Sequence, residues 1–212
     1  METALIYQSL AGAALVFSVA AFAWRLRAFR GLARPADRAV PKGRPGLGVL
    51  YAYTLGMAPW AKESTRRHLL AYLRGVAFHL GIFLGLGILL ASPWLGAAPA
   101  LWKSVPAVGA FMGALFGLAG FAARFFEHNL KALSTRDDYA AVLLVSLFLG
   151  SAGLWLVAPA SLPVFYLLSA VMLVYAPFSK IRHCIYYASS RLFFGRFFGT
   201  RAVLPHGQQL GR

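Results

Sequence analysis

Uncharged apolar runs alternate with basic stretches along this chain, and the lengths of the runs predict its elements. Ala4 to Trp24 carries no charge over 21 residues, Gly75 to Trp102 none over 28, and Ser104 to Ala123 none over 20. Each is near the ~20 residues with which an α-helix crosses the hydrocarbon core. Tyr139 to Ser179 is uncharged over 41 residues, about two crossings, and is interrupted by the turn chemistry of Pro159-Ala160-Ser161-Leu162-Pro163. The pattern predicts an all-α integral membrane protein, a five-helix transmembrane bundle with spans near residues 4–24, 75–101, 104–123, 139–158 and 162–183. Residues 1–212 read as a single membrane domain, with a long cytoplasmic loop at 25–74 and an interfacial C-terminal segment at 184–212.

Composition agrees: 59% of residues are hydrophobic, only 13% are charged, and the mean hydropathy is +0.65. The charge then adds a direction. Of 21 Lys and Arg, all but Lys103 fall within residues 25–74, 124–136 and 180–212, the alternate connections of a five-span chain. Positive residues in short loops stay on the cytoplasmic side, so the N-terminus is expected outside and the C-terminus inside. The net charge of +15 then reflects topology and contact with anionic lipid. Nucleic-acid binding is the weaker reading, because the basic residues flank spans and do not line one groove. The first apolar run lacks a basic lead-in and exceeds the usual signal-peptide core, so it reads as a retained helix.

Within loop 25–74, Pro35, Pro41, Gly43, Pro45, Gly46 and Gly48 predict an irregular first half, and Lys62 to Arg74 a polar helix running into the second span. The loop suits either a docked soluble partner or a solvated segment against lipid headgroups. After His183, aromatic residues interleave with arginines from Tyr186 to Arg201, a pattern suited to the headgroup plane.

Candidate chemistry lies in two histidines set in apolar segments, His79 and His183. An ionisable side chain at membrane depth needs a partner, and two at similar depth suggest one ligand site, with haem iron the candidate. Helix rise places His79 roughly 7–8 Å inside Arg74, and His183 roughly 30 Å along the fifth span, so both belong to the basic half. Gly81, Gly85 and Gly87 leave room for a porphyrin edge or for a neighbouring helix. Arg74, Lys180 and Arg182 suit haem propionates and equally suit ordinary interfacial anchoring. Structural hydrogen bonds to neighbouring helices are the alternative for the histidines. The lone cysteine, Cys184, excludes an intrachain disulfide, a CxxCH haem attachment and an iron–sulfur cluster held by this chain alone. A haem here would be non-covalent, b-type. His68 and His128 read as interfacial surface residues, and His206 as uninvolved.

Three segments resemble the membrane cytochrome b family that includes the gamma subunit of respiratory nitrate reductase and the membrane subunits of sulfate reducers and methanogens that partner heterodisulfide-reductase-like proteins. Phe78-His79-Leu80-Gly81 resembles the family's second-helix ligand motif. Pro177-Phe178-Ser179-Lys180-Ile181-Arg182-His183 resembles its fifth-helix motif, and Ser134-Thr135-Arg136-Asp137-Asp138-Tyr139 the polar lead-in to its fourth helix. The likeness covers residues from about 70 to 185. It implies a prokaryotic inner-membrane subunit with His79 and His183 as axial ligands of a b-haem. Electrons would pass between a diffusible quinone and a cytoplasmic iron–sulfur partner, ferredoxin-like or heterodisulfide-reductase-like. The family's second haem uses a further histidine on each of these helices, and this chain has Leu89 and Phe165 there. One inner haem is therefore expected, with a quinone site in the inner half and electroneutral chemistry. The rival expectations are a haem-free anchor recruiting a soluble redox complex, a small transporter, and a hydrolytic enzyme. The transporter is disfavoured because all six acids lie outside the spans, and the hydrolase because nucleophile-elbow and HExxH motifs are lacking.

Overall fold

The computed structural model describes residues 2–32 and 40–203, apart from the side chains of 2–4 and 64. Predicted features at Pro35 and His206 lie outside the described residues. Among those described, every regular element is a helix: α1 (Glu2–Arg30), α2 (Pro45–Tyr53), α3 (Glu63–Arg67), α4 (Leu69–Leu95), α5 (Ala100–Phe126), α6 (His128–Leu133), α7 (Arg136–Val157), α8 (Leu162–Tyr175) and α9 (His183–Thr200), with short 3₁₀ turns between some of them. Five stretches are long and apolar enough to cross a membrane: Leu5–Arg30, Leu69–Leu95, Ala100–Phe126, Arg136–Val157 and Pro159–Phe178. An apolar solvent leaves backbone polar groups no partner outside the segment, which is why such runs fold as helices. The chain divides into two compact units, one of Met1–Phe22 and Leu73–Ile181, the other of Ala23–Tyr72 and Arg182–Arg212.

The first unit is held together by small residues. One face of α5 buries Ala107, Ala110, Gly113, Ala114, Gly117, Gly120 and Ala123. With no difference in polarity between lipid tails and apolar side chains, helices associate by close van der Waals packing, and small residues permit it. A Cβ on Gly81 of α4 would lie 2.6 Å from the Gly113 Cα, and one on Gly85 would lie 2.5 Å from Leu149 and 2.9 Å from Phe148. Of the two occupants considered for these glycines, neighbouring helices take Gly81 and Gly85. A Cβ on Gly87 would meet nothing within 4 Å. Leu89 and Phe165, the positions lacking the second-haem histidines, are core residues, 7% and 0% exposed. The Phe165 ring stacks on Trp155 at 5.3 Å and on Phe148 at 6.0 Å.

The starts of α4 and α7 and the ends of α5 and α8 share one end of this unit. The Tyr139 hydroxyl donates to the Arg124 carbonyl (2.9 Å), and Lys180 N–H to the Asp137 carboxylate (2.7 Å). Asp137 and Asp138 lie in the first turn of α7, where a helix favours negative charge. Asp138 closes a capping box by accepting from Thr135 N–H (2.7 Å). The polar lead-in expected at 134–139 is thus a helix cap.

The fifth span differs from the expected 162–183. The helix α8 stops at Tyr175, passes through 3₁₀ turns at Ala176–Phe178 and Lys180–Arg182, and α9 starts at His183. Pro177 lacks the amide that would continue the ladder to the Leu173 carbonyl. Ser179 is extended (φ −98°, ψ −177°), and the Lys180 amide turns to Asp137. His183 is therefore the first residue of a separate helix and does not lie along the fifth one.

In the second unit, the Pro/Gly-rich segment predicted as irregular contains α2. Pro45 stands at its start, where the missing amide loses nothing. α2 packs antiparallel on α9: Lys42 and Gly43 amides donate to the Thr200 carbonyl (2.8 and 3.0 Å), and the Tyr53 hydroxyl donates to the Ala188 carbonyl (2.5 Å). The predicted polar helix from Lys62 into the second span is broken at His68, between α3 and α4. The face of α9 bearing Gly195 and Gly199, expected in the headgroup plane, is occupied by α2.

Candidate functional site

His79 and His183 belong to the first and second unit respectively. His79 lies ten residues past the start of α4, about 15 Å along it. Its Nδ1 is 2.7 Å from the Gly75 carbonyl, one turn earlier. A carbonyl can only accept, so Nδ1 carries the hydrogen between them. The imidazole is exposed on the helix surface, and a Cβ at Gly75 would meet nothing within 4 Å, so the turn beneath it presents bare backbone. An Nδ1 tied to a backbone carbonyl is the outer hydrogen bond that orients an imidazole ligand binding through Nε2. His79 thus fits the axial ligation of a haem.

His183 is exposed at the first position of α9, and Arg182 beside it is exposed too. Cys184 follows, its thiol pushed above the usual 9.0, mainly by desolvation, against the opposing effect of backbone hydrogen bonds at Ile185 and Cys184 itself.

The three cationic candidates differ in their company. Lys180 Nζ is 2.5 Å from an Asp138 oxygen, and Tyr175 donates its hydroxyl to Asp137, so the two aspartates of α7 hold the end of α8. Arg74 is five residues before His79, about 140° round the same helix. It faces α5: its Nε would be 3.7 Å from a Cβ on Gly120, and its Nη1 is 3.9 Å from Glu127. His79 and Arg74 therefore occupy different faces of α4. His68 and His128 are exposed.

Sequence reasoning missed the Tyr175–Asp137–Lys180–Asp138 cluster and the approach of Arg124 to Arg74. The acid pair at a helix start was visible; its partners on α8 were set by tertiary closure. Among the described residues, no three His, Cys, Asp or Glu side chains converge as a metal site, an arrangement a bis-histidine haem does not need. Comparison with protein-family models, with curated proteins and with solved structures gives no match.

Proposed function

We propose that this chain is the membrane cytochrome b subunit of a quinone-linked oxidoreductase, holding one b-type haem through His79 and His183. The observation that carries this reading is the His79 ring, exposed on α4 with its Nδ1 bonded to the Gly75 carbonyl at 2.7 Å. The bond to Gly75 holds the ring against rotation and raises the basicity of Nε2. Bis-histidine haem leaves no open coordination position and supplies one-electron transfer between quinone and a cytoplasmic iron–sulfur partner. Arg182, next to His183, is the cation assigned to a propionate; Lys180 already faces a carboxylate, and Arg74 lies on another face of α4, against Gly120.

A reduced-minus-oxidised spectrum with pyridine haemochrome quantitation tests the reading on purified wild-type protein and on His79→Ala and His183→Ala. One b-haem per chain is expected, lost in each variant while far-ultraviolet circular dichroism keeps its helical signal. Full haem retention in either folded variant removes that ligand. The haem-free anchor stays as the second reading because His183 opens a helix of its own instead of riding on α8. It requires that the intact complex show no Soret band.

A further inference from the structure

Two arginines meet at the edge of the first unit with too little acid to match them. Arg124 Nη1 donates to the Gly120 carbonyl at 2.8 Å, and a Cβ built on Gly120 would lie 3.9 Å from that nitrogen and 3.7 Å from Arg74 Nε. Both guanidinium groups therefore sit over the notch left by one glycine. Among the described residues the acid nearest them is Glu127, and its oxygen is 3.9 Å from Arg74 Nη1, too long for a hydrogen bond. Arg124 Nε is buried and has no hydrogen-bond partner. An unsatisfied buried donor on a cation is unfavourable and calls for an acceptor.

The notch lies at a membrane boundary by its own surroundings. The span ends at Phe126, and the next begins at Arg136. Phe121, Phe125 and Tyr139 form an aromatic cluster there, with ring centroids 5.1, 6.0 and 4.9 Å apart. Phe125 and Phe126 are 49% and 86% exposed. Aromatic rings in such numbers beside arginines mark the headgroup level.

From this convergence we infer that Arg74 and Arg124 form a binding site for the phosphate of an anionic phospholipid, seated over Gly120. Paired guanidinium forks match a phosphate in shape and charge. The acyl chains of such a lipid lie beside the exposed apolar faces of the spans. This site does not depend on haem, so it stands or falls separately from the proposed electron-transfer role.

Native mass spectrometry of the full chain in detergent, titrated with phosphatidylglycerol or phosphatidylcholine, tests it. Wild-type protein is expected to prefer phosphatidylglycerol by about tenfold or more, the scale of two interfacial cations. Arg74→Gln/Arg124→Gln removes that preference. Gly120→Leu removes it too, although both charges remain, because the side chain fills the notch. Arg66→Gln/Arg67→Gln, which deletes equal charge on α3, leaves it intact. Retention of the preference in Gly120→Leu, or equal loss in the α3 control, overturns the site in favour of diffuse attraction. Displacement of phosphatidylglycerol by millimolar inorganic phosphate reassigns it to a free oxyanion. If the variants do not fold, the wild-type protein decides alone: short-chain phosphatidylglycerol must raise its Tm above the value in phosphatidylcholine, and equal values refute the proposal.

Discussion

Pro93 lies inside α4 and removes the amide that would bond the Leu89 carbonyl. The Ser92 hydroxyl donates to that carbonyl at 2.7 Å and accepts from the Tyr166 hydroxyl of α8 at 3.0 Å. A helix-breaking residue in a span is thus accommodated by its own neighbour and tied to another helix. Ser92→Ala is expected to lower stability by about 1–2 kcal/mol, read as a drop in Tm in detergent. In a Pro93→Ala background the Leu89 carbonyl regains an amide, and the loss from Ser92→Ala should fall by more than half. Equal losses in both backgrounds would mean the carbonyl is not the reason. The Ser92-Pro93 pair is plain in the sequence, but its partner is 74 residues away, and nothing local announces Tyr166. The same division runs through the candidate site. His79 is legible because a histidine stands out in an apolar run, whereas Asp137 reads only as a helix start until α8 brings Tyr175 and Lys180 to it.

At the scale of elements, run length governs what can be read. Four apolar helices come out with ends up to six residues from their expected bounds, because about 20 uncharged residues leave the backbone one choice in a membrane while the helix runs on past the charges that bound the run. The second unit was harder, since its glycines act in packing and not as breakers. A Cβ on Gly48 would lie 2.1 Å from the Gly195 carbonyl oxygen, and one on Gly195 would lie 2.5 Å from Val49 Cα. Glycine on both sides lets two backbones touch, and a local reading sees only poor helix propensity. Gly48→Leu is expected to pry α2 from α9 at a loss of about 1–3 kcal/mol, the range for overpacking. Limited proteolysis should then cut within residues 42–60 several times faster, with the spans still protected. An unchanged digestion pattern would show that the glycine seam is not what holds α2. The fifth span failed for the opposite reason: 41 uncharged residues gave no hint that Pro177 and the Asp137 carboxylate end the helix at Tyr175.

Across the whole molecule, the asymmetry of charge makes the strongest claim on function. Arg74, Arg124, Arg136 and Lys180 lie at the end of the first unit where α4 and α7 begin and α5 and α8 stop, and Lys103 lies near the start of α5. If positive charge is retained inside, the basic end faces the cytoplasm, and His79, nearer the start than the end of α4, lies in the inner half of its span. The proposed exchange with a soluble iron–sulfur partner requires that orientation. In a Cys184→Ser background, a cysteine at Ala98, in the turn between α4 and α5, should react with a membrane-impermeant maleimide in intact spheroplasts. A cysteine at Ser134, between α6 and α7, should react only after lysis. The reverse pattern would put the basic end outside, where no cytoplasmic partner reaches it, and would sink the electron-transfer reading even if haem were bound.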